Sequence, residues 1–225
     1  MKNRYKRNIG TLTIEENEKL KDFKVCVIGC GGLGGYIIEM LSRIGIGYIT
    51  VVDGDIFDES NLNRQLFSDE NNLGLSKVQI AKKRTETVNH NIYINPVNKF
   101  LNNKNSKEIL KNHDIAIDAL DNIKVRFVLQ DTCKELNIPL IHGAISGWYG
   151  QVTTIFPGDD TLNYIYKNKE TEIENKLGNP SFTPANIASI QVCEAIKVLL
   201  NKGEVLSKKL LLIDLLYNEN TTIEI

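Results

Sequence analysis

Residues 24–53, KVCVIGCGGLGGYIIEMLSRIGIGYITVVD, decide the fold of this chain. An apolar run at positions 25–28 leads into closely spaced glycines, then into a helical pattern of apolar residues, and then into a second apolar run that ends at Asp53. This order predicts strand, glycine turn, helix and strand, with an acidic residue about twenty positions beyond the last glycine, as nucleotide-binding folds require. The glycines are Gly29, Gly31, Gly32 and Gly34.

Glycine-rich turns of this kind let the backbone approach a phosphate, and the helix that follows offers unpaired N–H groups to the phosphate oxygens. We therefore predict a site for an adenosine-type nucleotide near Gly31, with Asp53 accepting hydrogen bonds from ribose hydroxyls. The alternative is a glycine-rich turn between strand and helix that holds no ligand. The complete strand–turn–helix–strand context favours the nucleotide site.

Length and composition narrow the class of protein. The 225 residues suffice for one domain with a sizeable core. Because 27 Lys and Arg residues stand against 28 Asp and Glu residues, no net field favours nucleic acid or an anionic membrane as a partner. The four cysteines form no C-x-x-C pair, so we expect neither structural zinc nor a disulfide framework. No run is apolar enough for a signal peptide or a membrane span, so we expect a cytoplasmic protein.

The rest of the chain alternates short apolar runs with helical patterns. The predicted elements are a helix at 14–21 with Thr13 and Glu16 as capping box, a helix capped by Ser76, a strand at 92–94 ended by Pro96, a helix from Ser106, strands at 115–117, 140–141 and 151–156, a helix at 122–136, a helix capped by Thr183, and strands at 210–213 and 222–225. They predict an α/β fold: a doubly wound, Rossmann-like, mostly parallel sheet with antiparallel C-terminal strands.

We expect a single domain over residues 1–225, with four segments. They are an N-terminal arm with a short helix (1–23), a nucleotide-binding core (24–156), a crossover loop (157–183), and a C-terminal helix with strands (184–225). The crossover loop is charged and poorly periodic, and loops of that length are commonly functional or mobile.

Polar side chains gather where the predicted strands end. Because the carboxyl ends of parallel strands meet at one edge of a sheet, these side chains should lie near the glycine turn. Singly, each has an ordinary role as a helix cap, a turn residue or a solvated lysine. Together they supply Arg and Lys for triphosphate oxygens and a carboxylate for Mg²⁺, which predicts nucleotidyl transfer. The set is Asp53, Asp55, Asn61, Arg64, Gln65, Lys77, Asp118, Asp121 and Asn122.

Seven short motifs make the sequence similar to a known family. RYKRN, GCGGLGG, VVDGD, SNLNRQ, GLSK, DALDN and GQVTTIFPG occur in the order and spacing of the MoeB/ThiF/HesA group, the bacterial relatives of ubiquitin-activating enzymes. The resemblance covers residues 4–157 continuously and the final helix more loosely. It implies that the chain uses ATP to adenylate the C-terminal glycine carboxylate of a small ubiquitin-like sulfur-carrier protein ending in Gly-Gly, with release of pyrophosphate.

The resemblance also implies roles for individual residues. Asp53 resembles the ribose-binding acid, and Asp121 resembles the acid that binds magnesium. Arg7 matches an arginine that reaches into the active site of the other subunit of a homodimer, so we expect a homodimer. The residues that resemble the group holding the triphosphate are Asn61, Arg64 and Lys77.

Two departures from the family pattern narrow the expected chemistry. Relatives commonly carry two C-x-x-C pairs for zinc, which this chain lacks, so no zinc is expected. Some relatives carry a cysteine in the crossover loop for thioester or persulfide transfer, but positions 157–184 contain none. We therefore expect the reaction to stop at the acyl-adenylate, and we expect Cys193 to be a core residue rather than a nucleophile.

Two segments are candidates for holding the carrier's tail. The glycines of GAISGWYG at 143–150 could clear a channel for it, with Trp148 and Tyr149 docking it. Alternatively, this stretch is a tight connection with two packed aromatic residues. We expect the crossover loop to cover the tail.

Three other functions stay open. An NAD-dependent oxidoreductase would share the glycine turn and Asp53, but it would leave Arg64, Lys77 and Asp121 without a role. A tRNA threonylcarbamoyladenosine dehydratase resembles the same family, but its tRNA favours a basic surface, which a net charge of −1 does not suggest. A non-catalytic scaffold for carrier binding would not need the triphosphate residues.

Overall fold

The computed structural model describes residues 3–166 and 177–225. Within them the helices are α1 (Ile14–Lys19), α2 (Gly32–Ile44), α3 (Lys77–Val88), α4 (Ser106–Leu110), α5 (Ile123–Leu136), α6 (Thr161–Ile165) and α7 (Phe182–Leu200). The strands are β1 (Lys24–Ile28), β2 (Tyr48–Val52), β3 (Tyr93–Val97), β4 (Ile115–Asp118), β5 (Leu140–Ser146), β6 (Tyr149–Ile155), β7 (Lys209–Asp214) and β8 (Glu219–Glu224). Short 3-10 turns cover Asn3–Asn8, Leu20–Asp22 and Glu59–Asn61.

The eight strands form one sheet in the order β3-β2-β1-β4-β5-β6-β7-β8. Strands β1 to β5 run parallel, and β6, β7 and β8 continue the sheet through antiparallel pairs. Ile28 pairs with Val52 on one side and with Asp118 on the other, so the chain leaves β1, β2 and β4 at the same edge. We call this the carboxyl edge. The predicted fold class is confirmed.

Helices cover both faces of the sheet, as a doubly wound fold requires. Because successive side chains of a strand point to opposite faces, β1 contributes to two apolar clusters. Val25 and Val27 pack with residues of α2, α3 and α7, whereas Cys26 and Ile28 pack with residues of α4, α5 and α6. The carboxyl edge is therefore held between two packed layers.

The predicted boundaries at Pro96 and Thr183 are wrong, in both cases because the tertiary structure overrides the local signal. β3 continues through Pro96, because an edge strand makes ladder hydrogen bonds on one side only and tolerates a missing N–H. Ser76 is the N-cap of α3, as predicted, but its hydroxyl makes no capping hydrogen bond and donates to Asn98 Oδ1 instead (3.3 Å). The N-cap of α7 is Ser181. The Thr183 hydroxyl donates to the Gly147 carbonyl (2.6 Å) and so ties α7 to the turn between β5 and β6.

The thiols divide into two groups. Cys26, Cys30 and Cys133 are buried, whereas Cys193 is exposed on α7. The predicted core position of Cys193 is therefore wrong, because the buried stripe of α7 passes through its neighbours Val192 and Glu194 and leaves the thiol outside.

The division of the chain into segments stays a prediction. The crossover loop predicted at 157–183 includes the short helix α6, and its residues 167–176 lie outside the described residues. Over the ranges that are described, none of the helices combines the length and apolar character that a membrane crossing demands.

Candidate nucleotide-binding site

In the turn after β1, backbone segments lie in close contact with one another. Gly29 has a φ of +103°, a conformation that residues with a side chain rarely adopt. A Cβ atom there would lie 2.5 Å from the Ala119 carbonyl oxygen, and a Cβ atom on Gly34 would overlap the Gly29 carbonyl oxygen. Gly31 is the N-cap of α2 and provides no side-chain acceptor for the first N–H groups of the helix. A helix start with open N–H groups above a tight turn is suited to a phosphate.

Asp53 ties the glycine turn to the end of β2. Its Oδ2 accepts a hydrogen bond from the Cys30 N–H (2.7 Å), and its Oδ1 accepts one from the Asp55 N–H (2.8 Å). Each carboxylate oxygen keeps a further lone pair for another donor. The acid therefore lies beside the turn in a fixed orientation and can still accept ribose hydroxyls.

Lys77 is a buried cation at the start of α3. The residue is only 6% exposed, and its Nζ lies 3.2 Å from Asp55 Oδ2. Buried charges need partners, and Asp55 is the partner of Lys77. The Asp55 side chain is itself partly solvated, with 54% of its surface exposed. Burial and the nearby Asp53 raise the pKa of the Cys30 thiol, while Lys77 opposes them, so the ammonium lies within electrostatic reach of the glycine turn.

The loop between β2 and α3 carries two further predicted residues. Asn61 is buried, and its Oδ1 accepts a hydrogen bond from the Asp58 N–H (3.1 Å), which fixes the 3-10 turn before Arg64. The Arg64 Nη1 donates to the Ser60 carbonyl and to Asn63 Oδ1 (2.9 Å each). Among the described residues, the Nε and Nη2 groups of Arg64 have no hydrogen-bond partner. They are free to donate to phosphate oxygens, the geometry in which arginine binds anions.

Gln65 lies directly over the glycine turn. Its Nε2 is 3.5 Å from the position that a Cβ atom on Gly31 would occupy. Its Oε1 is buried without a hydrogen-bond partner in the part of the chain that is described. An unpaired buried acceptor is costly, and this atom is free to accept a hydrogen bond from water or from a bound molecule.

Asp121 lies at the carboxyl edge, beyond β4. Ala119, two residues earlier, donates its N–H to the Ile28 carbonyl (2.9 Å) and is the residue that approaches Gly29. Asp121 is exposed and makes no hydrogen bond or ion pair with any residue in 3–166 or 177–225. Asn122 is the N-cap of α5, where its Oδ1 accepts a hydrogen bond from the Val125 N–H (3.1 Å). The side chain of Asn122 is thus engaged in capping, whereas the Asp121 carboxylate is open.

Arg7 is the predicted site residue that lies apart from the others. The N-terminal arm packs at the opposite edge of the sheet: Tyr5 lies against Gly45 after α2, and Arg4 donates to Asn89 after α3. The 13 residues of α2 separate the arm from the glycine turn by about 20 Å. Arg7 is exposed and has no described partner. It therefore lies far from the glycine turn of its own chain.

Two features of the site were missed by sequence reasoning. Phe100 is 64% exposed, and its ring lies so close to Gly54 that a Cβ atom there would be 2.7 Å from Phe100 Cδ2. An aromatic residue in the polar stretch after β3 was the available signal. The second feature is a buried hydrogen-bonded cluster around Asp118, whose members come from five separate segments. No sequence pattern brings them together.

The residues fit a nucleotide held with Mg²⁺. No group of three or more His, Cys, Asp or Glu side chains within the described ranges is placed to hold a metal by itself. Magnesium in nucleotide sites is bound by one or two carboxylates together with phosphate oxygens and water. The Asp121 carboxylate, exposed and without a partner in the described ranges, is a group of the kind that such an ion takes.

Comparison with known proteins identifies the family. The sequence model described as ThiF family matches residues 5–225. The chain is 34% identical over 217 residues to molybdopterin-synthase adenylyltransferase of Haemophilus influenzae. The aligned residues cover 94% of this chain and 89% of that protein. It is 32% identical over 220 residues to SAMP-activating enzyme E1 of Haloferax volcanii, covering 94% of this chain and 80% of that protein.

Other relatives are longer. The chain is 38% identical over 202 residues to a probable molybdopterin-synthase adenylyltransferase of Porphyra purpurea, covering 87% of this chain and 53%, about half, of that protein. Among solved structures, E. coli MccB with ATP has the same fold, with a TM-score of 0.86, 22% identity, and coverage of 99% of this chain and 71% of that chain. By its sequence match and its fold, the chain belongs to the ThiF family.

Proposed function

We propose that this chain is a cytoplasmic adenylyltransferase that activates the C-terminal glycine carboxylate of a ubiquitin-like sulfur-carrier protein. It uses ATP with Mg²⁺ and releases pyrophosphate. Support comes from two relatives, the molybdopterin-synthase adenylyltransferase of H. influenzae and the SAMP-activating enzyme E1 of Haloferax volcanii. The single structural observation that carries the proposal is the meeting of the glycine turn, Asp53, Lys77 and the open Asp121 at the carboxyl edge.

The edge offers a distinct group for each part of the nucleotide. The first N–H groups of α2 take phosphate oxygens, and Asp53 takes the ribose hydroxyls. The exposed ring of Phe100, beside Gly54 and next to Asp53, offers a flat apolar surface for adenine. The unpaired Oε1 of Gln65 can accept a donor from the bound molecule.

The chemistry follows from charge. The carrier's carboxylate attacks the α-phosphorus, the bond to the β-phosphate oxygen breaks, and pyrophosphate leaves. Lys77, held in place by Asp55, and the free N–H groups of Arg64 offset negative charge on the phosphates as it builds up. The attacking carboxylate is already ionised at neutral pH, so the mechanism needs no protein base. The magnesium ion that Asp121 would hold supplies further positive charge and alignment.

Arg7 has its proposed place in the site of a second copy of the chain. Its position at the opposite edge of the sheet, exposed and without a described partner, supports action in trans in a homodimer. The two sites of such a dimer would each receive one arginine from the neighbouring subunit. An equimolar mixture of Arg7→Ala and Asp121→Ala subunits would then recover part of the activity, because about one site in four would be intact.

ATP–pyrophosphate exchange in the presence of purified carriers ending in Gly-Gly tests the proposal. Asp121→Ala and Arg64→Ala should each lower exchange by about 100-fold or more, the usual effect of removing a group that stabilises developing charge. Asp131→Ala, an exposed acid on α5 with no described partner, is the matched control and should leave exchange unchanged. Thermal unfolding should stay near that of the parent chain in all three variants.

Two results would contradict the proposal. Near-normal exchange in either site variant would remove the mechanism. Tight binding of NAD, with no binding of Mg²⁺·ATP by calorimetry, would instead favour the oxidoreductase.

A further inference from the structure

A buried polar cluster lies directly beneath Asp121. It is built from Asp118 at the end of β4, Arg126 on α5, His142 on β5, Gln151 on β6 and Tyr166 after α6. Asp118 and His142 are fully buried, and Arg126 is 5% exposed. Buried polar groups of this kind are retained when their hydrogen bonds fix a particular geometry. None of these residues has a role in the proposed adenylation steps.

The cluster pins the residue that immediately precedes Asp121. The Leu120 N–H donates to Asp118 Oδ1 (2.9 Å), and the Leu120 carbonyl accepts from Arg126 Nη2. On the other side, Asn122 is fixed as the N-cap of α5. Asp121 is thus an open carboxylate between two residues whose backbone is held. The backbone position of Asp121 therefore depends on Asp118 and Arg126.

Those two residues are in turn held by hydrogen bonds that converge on Tyr166. The His142 Nδ1–H donates to Asp118 Oδ2 (2.7 Å), and Arg126 Nε lies 3.5 Å from the same oxygen. Arg126 Nη1 donates to the Tyr166 hydroxyl (2.6 Å) and Gln151 Nε2 does the same (3.0 Å). The hydroxyl then donates to His142 Nε2 (3.3 Å).

The protonation states agree with this pattern. Burial lowers the pKa of His142 despite its bond to Asp118, so the ring is neutral and its Nε2 is an acceptor. Burial raises the pKa of Tyr166, so the hydroxyl keeps its proton and can donate it. The positive charge of Arg126 faces the negative charge of Asp118. One hydroxyl therefore joins the arginine to the histidine in a closed ring of hydrogen bonds.

Tyr166 comes from a distant part of the chain. It is 40 residues beyond Arg126, within the predicted crossover loop. Its ring also packs edge-on against His142, with 5.8 Å between ring centroids, and lies under the Arg126 guanidinium at 5.7 Å. The crossover segment is therefore joined to the Asp121 turn by one side chain.

We propose that Tyr166 is a positioning residue that acts through Arg126, Asp118 and Leu120 to aim the Asp121 carboxylate at nucleotide-bound Mg²⁺. The inference rests on the proposed role of Asp121 and extends it to a residue that touches neither nucleotide nor metal. Removing the hydroxyl takes away the acceptor of Arg126 Nη1, whereas Gln151 Nε2 still lies 3.2 Å from His142 Nε2, so the arginine must rearrange. The Leu120 carbonyl, and with it the Asp121 carboxylate, then shifts.

Calorimetric titration with AMPCPP, with Mg²⁺ and then with EDTA, tests this without a carrier protein. The ratio of the two affinities measures what the metal contributes. Tyr166→Phe should reduce that ratio by about tenfold, the lower end of what loss of an outer partner costs a metal site. Metal-free affinity should stay within about twofold of that of the parent chain, since the glycine turn and Asp53 are untouched. Tyr164→Phe on α6, an exposed tyrosine without described contacts, is the matched control and should change neither affinity.

A double-mutant cycle separates positioning from a general structural role. If Tyr166 acts through Asp121, adding Tyr166→Phe to Asp121→Asn should cause no further loss of the metal-dependent affinity. Losses that add up in the double mutant would overturn the inference and leave the proposed function intact. The same holds if Tyr166→Phe keeps the affinity ratio of the parent chain while Asp121→Asn lowers that ratio. If the parent chain does not bind AMPCPP at all, both the inference and the proposed function are wrong.

Discussion

Two glycine-rich stretches, residues 29–34 and 143–150, look alike in sequence but serve different purposes in the structure. In the first, Gly29 and Gly34 bring backbone against backbone, and nothing in that contact can move aside. In the second, a Cβ atom on Gly150 would overlap the side chain of Ile187 on α7. The first set of glycines allows a close backbone turn at the start of α2, whereas the second makes room for a helix.

This difference decides between two alternatives from the sequence. The second stretch consists of the facing halves of β5 and β6 with a tight turn, and the rings of Trp148 and Phe182 pack with centroids 4.6 Å apart. Its inward glycines are occupied by α7, so they do not clear a channel for a partner's tail. The alternative of a tight connection with packed aromatic residues is the one that the structure supports. Docking of a tail by the exposed parts of Trp148 and Tyr149 stays a prediction.

The largest expected effect is that of Gly34→Ala. Because the new methyl group would meet the Gly29 carbonyl, the turn must open, and we expect a loss of about 3 kcal/mol in the free energy of unfolding together with loss of nucleotide binding. The matched control is Gly35→Ala, whose methyl group would meet Leu66 at an ordinary 3.5 Å. That variant should gain about 0.5–1 kcal/mol from the helix preference of alanine. Urea unfolding measures both, and equal effects would contradict the steric account.

Gly150→Ala should cost less, about 2 kcal/mol, because the Ile187 side chain can rotate away from the new methyl group. Nucleotide affinity, measured by calorimetry, should stay at the parent value. In an Ile187→Ala background, which removes the overlapping atoms, the same substitution should cost nothing or stabilise the chain. A cost that persists in that background would show that the strain lies elsewhere.

Truncation at the hairpin turn should have a smaller effect on stability. Trp148→Ala removes the ring contact with Phe182, and an aromatic pair of this kind contributes about 0.5–1.5 kcal/mol beyond its burial. Thermal unfolding measures the loss, and AMPCPP affinity should not change. A drop in AMPCPP affinity would mean that the second glycine stretch also contributes to the nucleotide site.

Thiol reactivity should report whether the first glycine stretch stays closed. Burial raises the pKa of Cys30 and raises that of Cys133 to about 12, so at pH 8 both remain protonated and inaccessible. Only exposed Cys193 should react quickly with Ellman's reagent in the native chain, whereas all four react after denaturation. Cys193→Ser should abolish the fast phase. In Gly34→Ala, opening of the turn should add Cys30 to it.

Much of the fold follows from local pattern. The strands β1, β2 and β4 and the helices α2, α5 and α7 appear close to their predicted positions, because each carries an apolar period matched to its secondary structure. The misplaced boundaries at Pro96 and Thr183 have another origin. An edge position made the proline acceptable, and a carbonyl 36 residues away took the threonine hydroxyl. Neither the edge position of β3 nor the Gly147 carbonyl can be inferred from the local sequence.

The sequence by itself determined the sheet, the glycine turn and the set of polar residues at the carboxyl edge, because parallel strands deliver their following residues to one place. Only the tertiary structure decided that Cys193 is exposed, that Arg7 lies at the far edge, and that Tyr166 completes a buried ring of hydrogen bonds under Asp121. The physical reason is the distance along the sequence over which each effect acts. Periodicity and turn chemistry act over a few residues, whereas packing and buried hydrogen bonds join side chains that the sequence keeps far apart.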